Sequence, residues 1–125
     1  MLQSNCCDDK LVLIFACSGG SNVGQITNDA AKKLTEEGLG RFFCLAGVGG
    51  DIKGIIDTTK GADAVVVLDG CSVGCAKAIV EKVEVPIALY VDATELGIDK
   101  NPSFDYTNEQ VEMVCAAVRD GLTQA

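Results

Sequence analysis

Residues 11–25, LVLIFACSGGSNVGQ, decide the architecture. Residues 11–17 are apolar without a break, the pattern of a strand covered on both faces by other layers, and the strand is expected over residues 10–17 (KLVLIFAC). Ser18, Gly19, Gly20, Ser21 and Asn22 are turn formers. Beyond them Val23, Ile26, Ala30 and Leu34 recur at helical spacing until Gly38 offers a stop. A buried strand, a glycine-rich turn and an amphipathic helix form the first half of a βαβ unit.

The alternation continues along the chain. Residues 41–46 predict a second strand, followed by Gly47, Gly49 and Gly50. Ile52, Ile55 and Ile56 mark a short helix ending near Gly61. Residues 64–68 are strongly β-branched and predict a third strand in a run that closes on Cys71. Ser72 is placed to cap a third helix with Ala76, Ile79, Val80 and Val83 on its core stripe. Pro86 opens a fourth strand over residues 87–91, closed by Asp92, and residues 93–106 read as irregular. Thr107 or Asn108 starts a last helix with Val111, Val114, Cys115, Val118 and Leu122 on one face. The expected fold is α/β, a three-layer Rossmann-like open sheet of about four mostly parallel strands with right-handed crossovers. The expected strand order is 2-1-3-4, in one domain over residues 1–125.

Composition narrows the function. The 125 residues are 48% apolar, enough for the core of one domain. A net charge of −8 disfavours nucleic acid, whose phosphates need a basic face, and disfavours an anionic membrane surface by the same repulsion. The longest apolar run is far below the roughly 20 residues that span a bilayer. The opening MLQSNCCDDK lacks the basic-then-apolar order of a secretory signal, so the cytoplasm is the expected compartment. Thiols stay reduced there, and seven cysteines point to metal or thiol chemistry rather than to disulfides.

Cys17, Cys44 and Cys71 end strand-like runs, and Cys75 follows Cys71 by four residues. In the expected strand order the carboxyl tips of strands two, one and three are neighbours about 4.8 Å apart. These thiols are therefore expected to meet at one crevice. With no histidine in the chain, a sulfur-only site for Zn2+ is the leading expectation. Zinc holds four sulfurs at about 2.3 Å, so they must gather within about 4 Å of one another. Glycine-rich loops let backbone N–H groups approach sulfur, and Lys77 could offset part of the charge of a zinc tetrathiolate. Cysteine also fills buried strand ends as a small hydrophobe, the reading preferred for Cys115 on the last helix. Cys6 and Cys7 are expected to be exposed thiols at the other edge of the sheet. Asp69 is a candidate to support Cys71, and Asp92 is expected to cap a loop.

The segments CSGGSNVGQ at residues 17–25, CLAGVGG at 44–50 and DGCSVGCA at 69–76 resemble the DGC-domain proteins. These small prokaryotic proteins, named for their Asp-Gly-Cys motif, are regarded as zinc-binding. The resemblance covers nearly the whole chain. It implies that Cys17, Cys44, Cys71 and Cys75 correspond to the four cysteines held to chelate zinc in that family.

Other chemistries compete for the same residues. Cys17 with its Ser/Gly loop resembles the anion cradle of low-molecular-weight tyrosine phosphatases, but the clamping arginine that chemistry needs is replaced by Val23. Gly47, Val48 and Gly49 open a dinucleotide fingerprint whose last position is Ile52, not glycine. An iron–sulfur cluster accepts four thiolates, although the spacing follows neither common ferredoxin pattern. A thiol-based redox or thiol-transfer enzyme cycling Cys71 and Cys75 is the remaining alternative. The expected function is a zinc-binding protein rather than an enzyme, since a closed four-sulfur shell leaves no position for an activated water.

Overall fold

A computed structural model describes residues 10–123; Cys6 and Cys7 lie outside them. The sheet contains β1 (Val12–Ala16), β2 (Arg41–Phe42), β3 (Ala64–Asp69) and β4 (Leu89–Asp92). All three pairings are parallel and the order is β2-β1-β3-β4, as the expected 2-1-3-4 arrangement requires. Among the described residues five α-helices flank it: α1 (Asn22–Glu36), α2 (Leu45–Gly49), α3 (Lys53–Lys60), α4 (Cys75–Lys82) and α5 (Asn108–Thr123). Among the described residues no helix is long and apolar enough to cross a membrane.

The period of two along the strands explains why the apolar runs are continuous. Ile14, Ala16, Val66 and Leu68 face α1 and α5, where Ile26, Ala30, Leu34, Val114 and Val118 are fully buried. Leu13, Phe15, Val65 and Val67 face the opposite way, against Val48, Ala76 and Val80. Both faces are covered, so neither parity of position can be polar. Burying one such Leu, Ile or Phe side chain contributes about 1.5–3 kcal/mol. Cys115 is fully buried in the first of these clusters, with burial pushing its thiol up from the usual range, which makes it core.

Helix ends follow local chemistry. Ser21 is extended (φ −157°) and its hydroxyl accepts from Gly24 N–H at 3.1 Å, starting α1. Gly38, at φ +83°, lets the chain leave α1, with its N–H donating to the Thr35 carbonyl. Thr107 and Gln110 bond reciprocally through side chain and backbone to open α5. Asp92 accepts from Thr94 N–H and caps a 3-10 turn, Ala93–Leu96, within the stretch expected to be irregular.

The second strand is much shorter than expected. Residues 41–46 were a strand by apolar character, yet only Arg41 and Phe42 pair with β1, and Leu45–Gly49 coil into α2. Val48 thereby drops into the core, which an extended course would have left open. Gly47 and Gly49 thus sit inside a helix rather than in the strand-to-helix turn that a dinucleotide fingerprint requires.

An ionic cluster clasps α1 to α5. Arg119 pairs with Glu37 at 2.8 Å and with Glu112, and Lys33 pairs with Glu112 at 2.8 Å. The hydrogen bonds from Arg119 and Lys33 hold the Glu112 carboxyl down at about 2, below the ordinary value near 4.5. A depressed carboxyl stabilises the fold above its unfolded value and loses that contribution as pH falls through the folded one. Glu112→Gln should therefore lower the melting temperature at pH 7. The gap between wild type and variant should close between pH 4.5 and about 2, as followed by circular dichroism melts across that range.

Candidate functional site

Above the carboxyl ends of β1 and β3, three backbone segments touch without intervening side chains. A Cβ on Gly24 would lie 2.5 Å from the nitrogen and oxygen of Gly19, and one on Gly70 would lie 2.9 Å from Gly24 N. Glycine at positions 24 and 70 is what allows the β1–α1 loop, the first turn of α1 and the loop after β3 to close on one another. Cys17 directly follows β1, and Cys71 lies two residues beyond β3, so this contact brings their loops to a shared cleft.

The cleft has a volume of about 220 Å3 and is lined by Cys17, Cys71, Cys75, Asp69, Val73 and Lys100 together with loop glycines. Three of the four expected site cysteines therefore share one cavity. Cys44 is exposed in the segment between β2 and α2 and does not line it. Among the described residues no group of three or more histidine, cysteine, aspartate or glutamate side chains is placed to hold a metal ion. The donor chemistry still suits zinc, since soft sulfur ligands converge on one cleft and the chain contains no imidazole. The thiols surround a space rather than a point.

Each cysteine has a distinct setting. Cys17 Sγ lies 3.7 Å from Thr27 Oγ1, whose hydroxyl donates to the Gly24 carbonyl at 2.7 Å, so the sulfur is the donor in this contact. Cys71 Sγ accepts from Lys100 Nζ at 3.4 Å. Cys75 is the exposed first residue of α4.

Ser72 does not cap α4. The helix starts later, after Gly74 at φ +68°, and the buried Asp69 carboxylate does the capping. Its oxygens accept from Ala76 N–H at 2.8 Å, Lys77 N–H at 3.0 Å and Tyr90 Oη–H at 2.8 Å. Burial, reinforced by the bond to Asp69, pushes the Tyr90 phenol well above its usual range and keeps it a donor. Asp69 thus braces the loop that carries Cys71 and Cys75 from below, with its described hydrogen bonds directed at α4 and β4.

The cation near the sulfurs is Lys100, not Lys77, whose ammonium lies 5.0 Å from the centre of the Tyr90 ring. Lys100 is held in place from α1. Asn22 donates from Nδ2 to Asp99 O at 2.8 Å and accepts at Oδ1 from Asn101 N at 2.7 Å, gripping the chain on both sides of Lys100. Asn22 N–H donates to Asn101 O at 3.2 Å as well. Position 100 carries no periodic signal; only the need for the chain to return over the carboxyl edge from β4 toward α5 hints at it.

A model of one protein family, described as the DGC domain, matches residues 13–118. A protein of Pseudomonas aeruginosa described as "Anaerobic and virulence modulator AnvM" is 34% identical over 116 residues, covering 93% of this chain and 88% of that protein. No solved structure matches the chain.

Two substitutions test the construction of the cleft. Gly70→Ala forces a methyl group into the α1 backbone and should destabilise the fold by about 1–3 kcal/mol in urea denaturation. Asn22→Ala strips partners from Asp99 O and Asn101 N and should cost a similar ~1–3 kcal/mol. Unchanged midpoints for both would mean that the loops are held by something else.

Proposed function

The chain belongs to the DGC-domain family, and from that premise we propose that it binds Zn2+ through Cys17, Cys71, Cys75 and Cys44 at the carboxyl edge of the sheet. The single observation that carries this reading is the lining of one cleft by three thiols from two separate crossover connections, the β1–α1 loop and the β3–α4 loop with the first residue of α4. Packing alone gives no reason for that arrangement, as Cys115 illustrates by lying in the core instead. The fourth ligand, Cys44, is exposed on a segment that follows a strand of only two residues, so reaching the cleft costs few ladder hydrogen bonds. Loading is then an ordering event, in which the ion draws sulfur side chains together and displaces their protons.

A closed four-sulfur shell supports binding, storage or regulatory use of the metal rather than hydrolysis. The Pseudomonas relative is named as a modulator rather than by a reaction, which agrees with a non-catalytic role. An iron–sulfur cluster on the same thiols, or thiol redox exchange between Cys71 and Cys75, are the competing outcomes. Localisation to the cytoplasm is proposed on the same grounds, since reduced thiols are needed for metal uptake.

The test is metal analysis on protein purified without oxygen, with Cys→Ser variants at each position. About one zinc per chain is expected. Changes in outer-shell partners weaken metal sites roughly 10–100-fold, so loss of a ligand should exceed about 100-fold. Full zinc retention by the variants at Cys17, Cys71 and Cys75 would overturn the reading. Retention by Cys44→Ser alone would instead define a three-thiol site with one open position. A broad brown absorption band near ~400 nm would replace zinc by an iron–sulfur cluster.

A further inference from the structure

Among the described residues Lys100 is the one basic side chain that lines the cysteine cleft, in a chain with 18 acidic and 10 basic residues. Three hydrogen bonds with Asn22, two donated and one accepted by that residue, fix the backbone on either side of Lys100, whose ammonium lies on Cys71 Sγ at 3.4 Å. Asn22 is itself almost completely buried as the first residue of α1, the helix whose first turn meets Gly19 and Gly70. Lys100 and Cys71 are therefore referenced to the same rigid turn, although 29 positions separate them. An unanchored surface lysine would give up both main-chain and side-chain freedom to hold such a contact. Fixing the backbone on both sides removes the main-chain part of that cost.

We infer that Lys100 is the positioning and charge-compensating residue of this site, retaining its hydrogen bond to Cys71 when zinc is bound. This inference rests on the zinc reading above. Four thiolates around Zn2+ carry a net charge of −2, and the neighbouring ammonium brings the ensemble to −1. In an acidic protein that compensation opposes the departure of the ion and draws electron density from the Cys71 sulfur. Zinc is then held longer, and Cys71 becomes a poorer nucleophile within the complex. Hydrogen bonds to charged groups are the stronger class, but this one is exposed to solvent, so an effect no larger than about fivefold is expected.

Two measurements on the full-length protein test this, each with wild type, Lys100→Met and Lys100→Arg. The first uses metal-free protein and compares alkylation of Cys71 by iodoacetate and by iodoacetamide, resolved by peptide mass spectrometry. The ratio of the two rates reports local positive charge, because the fraction of reactive sulfur cancels. It should fall about fivefold in Lys100→Met, hold in Lys100→Arg, and stay constant at Cys44 in all three. Equal ratios at Cys71 would overturn the assignment of Lys100 whether or not zinc binds. The second uses zinc-loaded protein and follows transfer of the ion to excess chelator. Transfer should be about fivefold faster in Lys100→Met and within about twofold of wild type in Lys100→Arg. An unchanged rate in Lys100→Met, with zinc still bound stoichiometrically, would refute retention by Lys100 alone. Absence of zinc uptake by wild type would refute the metal reading itself, and the retention role with it.

Discussion

Backbone contact among Gly19, Gly24 and Gly70 is the constraint on which the cleft depends. Parallel strands bring their carboxyl ends side by side, but loops leaving neighbouring strands ordinarily keep a side chain's width apart. Here a Cβ would have to sit 2.5–2.9 Å from main-chain atoms, well inside van der Waals contact, so any side chain would push the loops apart. Removing that width lets a loop from β1 and a loop from β3 share one wall. The glycine of the Asp-Gly-Cys sequence is thus a spacing device, and the cysteines on either side inherit their proximity from it.

Buried polar side chains then fix what the glycines bring together. Asp69 ties the amino end of α4 to Tyr90 on β4, Asn22 ties α1 to the stretch around Lys100, and Thr27 faces Cys17 from within α1. Among the described residues every buried side-chain nitrogen and oxygen has a partner. Carboxylate, amide and hydroxyl groups placed this way cost little desolvation because each is matched, and they resist sliding of one loop over another. The rim is rigid where these groups act, around Cys17, Cys71 and Lys100.

Much of this was readable in the chain itself. The uninterrupted apolar runs of β1 and β3, the helical stripe of α1 and the placement of Cys115 in the core all follow from periodicity, and the strand order follows from common α/β topology. The failures have physical causes. RFFCLAGVGG is too short and too apolar for period to separate strand from helix, and burial of Val48 decided for the helix. Ser72 is a good cap by residue type, yet a carboxylate from the preceding strand outcompeted it, which only tertiary placement reveals. Lys100 lies in a stretch without periodicity, and its position depends on an amide 78 residues earlier in the chain. Cys17 and Cys71 reach the cleft from strand ends and Cys75 from the first turn of α4; Cys44, just beyond the early-stopping β2, is exposed and does not line it.

The brevity of β2 carries a consequence for how the molecule breathes. As an outermost strand of two residues, it presents almost no free ladder to a neighbouring molecule, which guards against edge-to-edge association. Beyond its two paired residues, the connection to α2 is tied by Phe43 N–H to the Ile14 carbonyl, while Phe42 N–H is held by the Thr35 hydroxyl. Few bonds need to part for this margin to fray independently of the central strands. The molecule thus joins a jaw laced by many ladder bonds, β1 with β3, to one at β2 that rests on few of them and on the packing of Phe42 and Phe43.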